Sequence, residues 1–153
     1  MRLIVMRHGR AEDAGPDGDL ARGLTDEGRT DVRSSGGALL ETGYRPDVIL
    51  VSSASRSLET VDVLPEELKD GATVEQRSEL YNTDLDGLLD IVGAASNDQT
   101  IMIVGHNPGL GALFAHLNGD ASKGFKPADI GVFEVEAPDW RTARPLGRFG
   151  PKR

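Results

Sequence analysis

Leu3-Ile4-Val5-Met6-Arg7-His8-Gly9 joins an unbroken apolar run to a cation, an imidazole and a glycine. Four apolar residues without alternation mark a strand buried on both faces, the habit of parallel sheets. The same composite recurs twice along the chain. Val48-Ile49-Leu50-Val51 runs into Ser52-Ser53-Ala54-Ser55-Arg56, and Ile101-Met102-Ile103-Val104 runs into Gly105-His106-Asn107-Pro108-Gly109. In an open parallel sheet, ligands bind at the carboxyl ends of the strands. All three polar clusters therefore share one edge of the sheet.

Between the strands the spacing turns helical. Thr25 caps a helix running towards Glu41, with Val32, Leu39 and Leu40 facing inward. Gly36 and Gly37 weaken it, each by roughly 1 kcal/mol against alanine. Ser53 or Ser55 caps a second helix carrying Leu58, Val61 and Leu64, which Pro65 ends. Leu85, Leu88, Leu89 and Val92 set a third. Asn107 reads as the N-cap of a fourth, with Pro108 at its first position, ending near Asn118 and closed by Gly119. From Ile130 a hairpin follows, turning near Pro138-Asp139 into a strand from Trp140. The expected fold is α/β, a three-layer sandwich whose mostly parallel central sheet carries helices on both faces. Residues 1–153 form one domain, with no repeat and no linker.

Composition narrows the function classes. The 153 residues are 38% hydrophobic and 27% charged, ordinary for a folded domain. There is no cysteine, so disulfides, thiolate metal sites and a cysteine nucleophile are excluded. That fits a cytoplasmic protein. A net charge of −8 argues against nucleic-acid binding, and no apolar run is long enough to span a membrane.

Convergence at one edge gathers His8, His106, Arg7 and Arg56. Arginine offers a planar, permanently charged fork that fits phosphate oxygens. Neutral imidazole is a competent nucleophile near pH 7. Helix N-termini after Arg56 and His106 add N–H donors. No acidic residue neighbours these clusters in sequence, so the pocket is expected to be electropositive. A phosphoryl group is the ligand this chemistry suits, and its transfer to a histidine the reaction.

At these residues the chain resembles the histidine phosphatase superfamily. Met6-Arg7-His8-Gly9 is similar to its Arg-His-Gly signature. Ser52, Arg56 and Thr60 resemble its Ser-Pro-x-x-Arg-x-x-x-Thr segment, with Ser53 where proline is usual. Val104-Gly105-His106-Asn107 resembles its second histidine motif, and Asp19, Arg22, Leu24, Thr25 and Gly28 fit the pattern after the first loop. The resemblance implies a phosphoglycerate-mutase-like fold and a phosphohistidine intermediate on His8. It also implies phosphate binding by Arg7, Arg56 and Asn107, and a donor or positive charge from His106. It implies neither metal nor organic cofactor.

Within that superfamily the compact chain looks like the small bacterial SixA-type phosphohistidine phosphatases, acting on a phosphorylated protein. Asn107 stands where acid phosphatases carry an aspartate proton donor, and Ala14 where many mutase-like members carry a phosphate-binding asparagine. Glu79 lies near the proton donor of larger members; it reads as a candidate general acid or as a solvated carboxylate at a helix start. Arg22 either lines the mouth or sits on an exposed loop. His116 reads as structural, Arg77 as a surface charge, and the basic stretch from Arg141 to Arg153 as a solvated tail, with docking of an acidic partner as its alternative. A small-molecule phosphoester phosphatase or mutase-like enzyme is the alternative, and a non-catalytic phosphate-binding adaptor is the alternative of another class. A monomer is favoured.

Overall fold

The computed structural model describes residues 1–120 and 124–152. Its six strands are β1 (Arg2–Arg7), β2 (Val48–Ser52), β3 (Thr73–Arg77), β4 (Thr100–Gly105), β5 (Ile130–Glu136) and β6 (Asp139–Phe149). They form one sheet in the order β3-β2-β4-β1-β5-β6. The first four run parallel to one another, and β5 and β6 are antiparallel to their neighbours. The helices are α1 (Asp26–Glu41), α2 (Ser55–Val63), α3 (Glu66–Lys69), α4 (Leu85–Gly93) and α5 (Gly109–Asn118). Among the described residues, no helix is long and apolar enough to cross a membrane.

Side chains alternate across each strand, so the sheet supplies two cores. Leu3, Val5, Ile101 and Ile103 pack with Leu88 and Val92 of α4 and with Leu110 and Leu113 of α5. Ile4, Met6, Met102 and Val104 pack with Val32 and Leu39 of α1, Val61 of α2 and Leu68 of α3. This is the expected sandwich, helices on both faces of a mostly parallel sheet.

Several local expectations change. Thr25 does cap α1, its hydroxyl accepting the Gly28 N–H at 2.9 Å. Neither Ser53 nor Ser55 caps α2. Ala54, fully buried, holds that position without a side-chain bond, and the Ser52 hydroxyl accepts the Ala54 N–H instead. Asn107 is not the cap residue of α5 by position, since Pro108 stands there. Its side-chain oxygen nevertheless accepts the Gly111 N–H at 2.9 Å, so the capping bond is made from one residue earlier. Gly119, at φ 73°, closes α5 in the left-handed conformation that glycine tolerates.

Two elements are absent from the sequence expectation: α3, and the polar edge strand β3, whose Thr-Val-Glu-Gln-Arg is almost wholly exposed. The basic stretch from Arg141 is no tail. Through Phe149 it is β6, paired to β5, because Phe133 and Val132 offer it a buried partner strand; Arg153 lies outside the described residues. His116 sits exposed in the last turn of α5, where a cation complements the helix dipole.

Candidate active site

The parallel register delivers the strand ends to one place. Arg7 pairs with Gly105 and Val51 with Val104, so the residues just beyond β1, β2 and β4 meet at one edge. The His8 N–H donates to the Gly105 carbonyl at 3.0 Å, and the rings of His8 and His106 lie 5.1 Å apart.

His8 is 8% exposed. Its Nδ1 lies 2.7 Å from the Gly9 carbonyl oxygen. A carbonyl only accepts, so Nδ1 carries the proton and Nε2 keeps its lone pair. Gly9 is itself clamped. Its N–H donates to the Thr60 hydroxyl at 3.1 Å, which donates to the Arg56 carbonyl at 2.7 Å. A Cβ at Gly9 would stand 2.8 Å from Val32 Cγ2 and 2.9 Å from the Gly28 oxygen, so only glycine fits. Burial, opposed by the bond to Gly9, pushes the His8 imidazole down to about 3, with His106, Arg56 and Arg7 acting in the same direction as burial. His8 is thus neutral at pH 7.

His106 is held through Nε2, 2.6 Å from the Ser52 hydroxyl and 3.4 Å from that of Ser57. Burial, then the Arg56 charge, lower it to about 4. Its Nδ1 is buried and has no partner among the described residues, as is Nε of Arg7. Two orphaned polar atoms of this kind fit a site built for an oxygen-rich ligand. Arg7 is half-buried, and its NH1 donates to the Phe125 carbonyl at 3.1 Å. The segment carrying Phe125 is fastened to β1 by Ala128, whose N–H is shared between the Arg7 and His8 carbonyls, 3.1 Å from each.

Arg56, 6% exposed in the first turn of α2, has a partner that sequence order conceals. Its two terminal nitrogens donate to the Asp19 carbonyl at 2.8 Å and to Asp19 Oδ2 at 3.1 Å. The expectation of no nearby acid is therefore corrected. Asp19 lies 37 positions from Arg56, on a 3-10 turn (Asp19–Ala21) that folds back over the site. Arg22 donates to Asp19 Oδ1 at 3.0 Å and to the Glu12 carbonyl at 2.6 Å, which places it on the rim beside Asp19. The Tyr81 hydroxyl donates to Asp19 Oδ2, and the Tyr81 ring stands edge-on to His106 at 5.7 Å. These donors, Tyr81 first and then Arg22, hold the Asp19 carboxyl far below the usual carboxylate range. The hydroxyl of Tyr81 is raised in turn by that carboxylate.

Of the expected site residues, His8, His106, Arg7 and Arg56 come together and Arg22 borders them. Glu79, two residues before Tyr81, is exposed on a 3-10 turn (Ser78–Leu80) and bound to Arg77 Nε at 2.7 Å, which lowers its carboxyl. Arg77 accordingly is less a free surface charge than the partner of Glu79. Asn107 is occupied in fastening the loop, its amide nitrogen donating to the Phe125 carbonyl at 2.8 Å. Asp19, Tyr81 and Ser57 are the neighbours that sequence reasoning missed as site residues; only Asp19 left a trace, as part of the pattern after the first loop. Among the described residues no group of three His, Asp or Glu side chains stands close enough to hold a metal ion.

No protein-family model matches the chain. A 67-residue stretch is 34% identical to the mitochondrial serine/threonine-protein phosphatase Pgam5 of Drosophila ananassae. That stretch is 44% of this chain and spans only 23% of that protein's length. Likeness to solved structures is full-length. The SixA protein of Agrobacterium tumefaciens is 26% identical with a TM-score of 0.86, the match covering 99% of this chain and 98% of that one. The SixA protein of Nakamurella multipartitia is 26% identical at 0.82, covering 99% and 96%. A protein histidine phosphatase SixA complexed with tungstate, 23% identical, shares the fold at 0.81 over 99% and 97%. Strand-end motifs that meet at one sheet edge, on a backbone that follows SixA from end to end, make this chain similar in fold and in motif placement to the SixA phosphohistidine phosphatases.

Proposed function

We propose that the protein is a SixA-type phosphohistidine phosphatase that works through a covalent phosphoryl intermediate on His8. One observation carries the reading: the His8 Nδ1 proton is committed to the Gly9 carbonyl at 2.7 Å, so a neutral imidazole presents Nε2 as the nucleophile. Nε2 attacks phosphorus. The new N–P bond forms as the bond to the leaving nitrogen breaks, and that nitrogen takes the electron pair. Water then attacks the phosphoryl-His8, releasing inorganic phosphate and restoring the lone pair on Nε2.

Arg7 and the free edge of the Arg56 fork bind the phosphoryl oxygens, and His106 Nδ1 adds a donor when its ring carries a proton there. A doubly charged phosphoryl group brought beside His106 raises its affinity for that proton. Such preorganised donors stabilise the charge of the transferring group. Asp19, beside Tyr81, Arg22 and Arg56, and Glu79, beside Arg77, are held ionised, which makes both poor proton donors to an alkoxide and suits nitrogen as the leaving atom, since imidazole leaves more readily. The substrate on this reading is a phosphorylated protein.

Turnover of a phosphohistidine peptide beside an aryl phosphate ester, in wild type and His8→Asn, tests the proposal. The peptide should be preferred and an acid-labile phosphoenzyme should be trapped with the wild type alone. Preference for the ester would move the enzyme to small-molecule substrates, and a phosphoenzyme surviving in His8→Asn would remove His8 as the acceptor.

A further inference from the structure

Beside the histidines, on the same edge of the sheet, a second cleft of about 520 Å³ is lined by Arg10, Lys126, Pro127, Asp129, Arg148 and Gly150. Arg10 is two residues past His8, so their Cα atoms are at most about 7 Å apart. The opposite wall is the 125–129 segment whose Phe125 carbonyl takes a bond from Arg7 and whose Ala128 N–H is bonded to the Arg7 and His8 carbonyls. Phosphate site and cleft are thus two parts of one mouth.

The cleft is basic in a chain of net charge −8. Three cations line it against one acid. Asp129, nearly buried, is consumed within the fold: its Oδ2 accepts from Arg148 NH2 at 2.9 Å and from the Lys126 N–H at 2.8 Å. Arg148 is anchored there and by the Gly124 carbonyl, yet remains partly exposed. Arg10 faces Glu27 at 3.2 Å in a pair that is half exposed on both sides, so water screens it. Lys126 is exposed and makes no ion pair among the described residues. A neighbouring groove has the opposite sign, lined by Glu12, Asp13 and Asp17 with Arg22.

We infer that this cleft docks an acidic segment of the substrate protein, with aspartate or glutamate side chains beside the phosphorylated histidine lying against Arg10, Lys126 and Arg148. The inference rests on the phosphatase reading above for the phosphorylated residue, but not for the docking itself. Carboxylates suit the cleft because Arg148 is anchored and partly desolvated, Lys126 makes no ion pair among the described residues, and the Arg10–Glu27 pair is open to water. That acidic groove orients the partner, since a uniformly acidic surface would be repelled there.

Two peptides of equal length separate the possibilities, one with Asp and Glu around the phosphohistidine and one with Ser and Ala, beside free phosphohistidine as a small substrate. Wild type should process the acidic peptide with about tenfold higher kcat/KM than the neutral one, the advantage fading as salt rises from about 0.05 to 0.5 M. Lys126→Glu and Arg10→Ser should erase the advantage while leaving kcat on free phosphohistidine within about twofold. Equal efficiency on both peptides, or an advantage that survives both substitutions, overturns the cleft proposal while leaving the phosphatase reading intact. Fluorescence anisotropy with the unphosphorylated acidic peptide reads docking without chemistry. Binding that Lys126→Glu weakens, in a protein that turns over none of the substrates, sustains the cleft and removes the phosphatase reading instead; no binding to wild type removes the cleft.

Discussion

At His8, one backbone carbonyl settles which ring nitrogen is free, and burial settles the charge. The same burial ties the site to stability. An imidazole in the unfolded chain titrates near 6.5, and in the folded protein His8 is pushed down to about 3 and His106 to about 4. Below pH 6.5 the unfolded state therefore takes up protons that the folded state refuses. Stability is complete above about 6.5 and declines as pH falls towards 4, by at most about 1.4 kcal/mol per pH unit for each histidine. The thermal midpoint of wild type should drop between pH 7 and 5, and His8→Asn should show a visibly shallower drop. Equal slopes in the two proteins would mean that His8 is protonated in the folded state.

Among the elements, those with unbroken apolar runs are legible in the sequence, because burial on both faces forbids alternation in β1, β2 and β4. The edge strand β3 is not. Its outer flank faces water, so Thr-Val-Glu-Gln-Arg carries no apolar run to notice. Capping was legible where the hydroxyl alone decides, at Thr25, and misplaced where packing decides, at buried Ala54. The two glycines of α1 make the same point, since sequence treats them alike and the fold does not. A Cβ at Gly36 would stand 2.7 Å from Pro65 Cδ and 2.9 Å from Leu64 Cδ2, where α1 crosses the end of α2; at Gly37 it would meet nothing within 4 Å. Gly37→Ala should raise stability by about 0.5–1 kcal/mol through helix propensity. Gly36→Ala gains the same propensity but must force the helices apart, which costs about 1–3 kcal/mol. Denaturant midpoints of the two variants should move in opposite directions; a shared upward shift would show that the α1–α2 contact yields freely.

For the whole molecule, parallel strands carry sequence information to one edge, and that is why His8, Arg7, Arg56 and His106 could be assembled on paper. Contacts made by loops carry no such register. Asp19 reaches Arg56 across 37 positions and Tyr81 across 62, so its sequence pattern gave no sign that it would bond to either. The sheet that gathers the site also couples the two cores. Met102 and Ile103 are consecutive in β4, yet one belongs to the core under α1–α3 and the other to the core under α4 and α5. Neither face can lose its packing while the shared strands keep theirs, so the chain should unfold as one domain in a single transition, with calorimetric and van't Hoff enthalpies equal. Leu39 of α1 and Leu113 of α5, both fully buried, probe the two faces. Truncation of either to alanine should cost about 2–5 kcal/mol. At about 2–4 °C per kcal/mol for a domain of this size, each should shift the one midpoint down by about 4–20 °C without splitting it. A second transition appearing in either variant would show that the sheet does not bind its two faces into one cooperative unit.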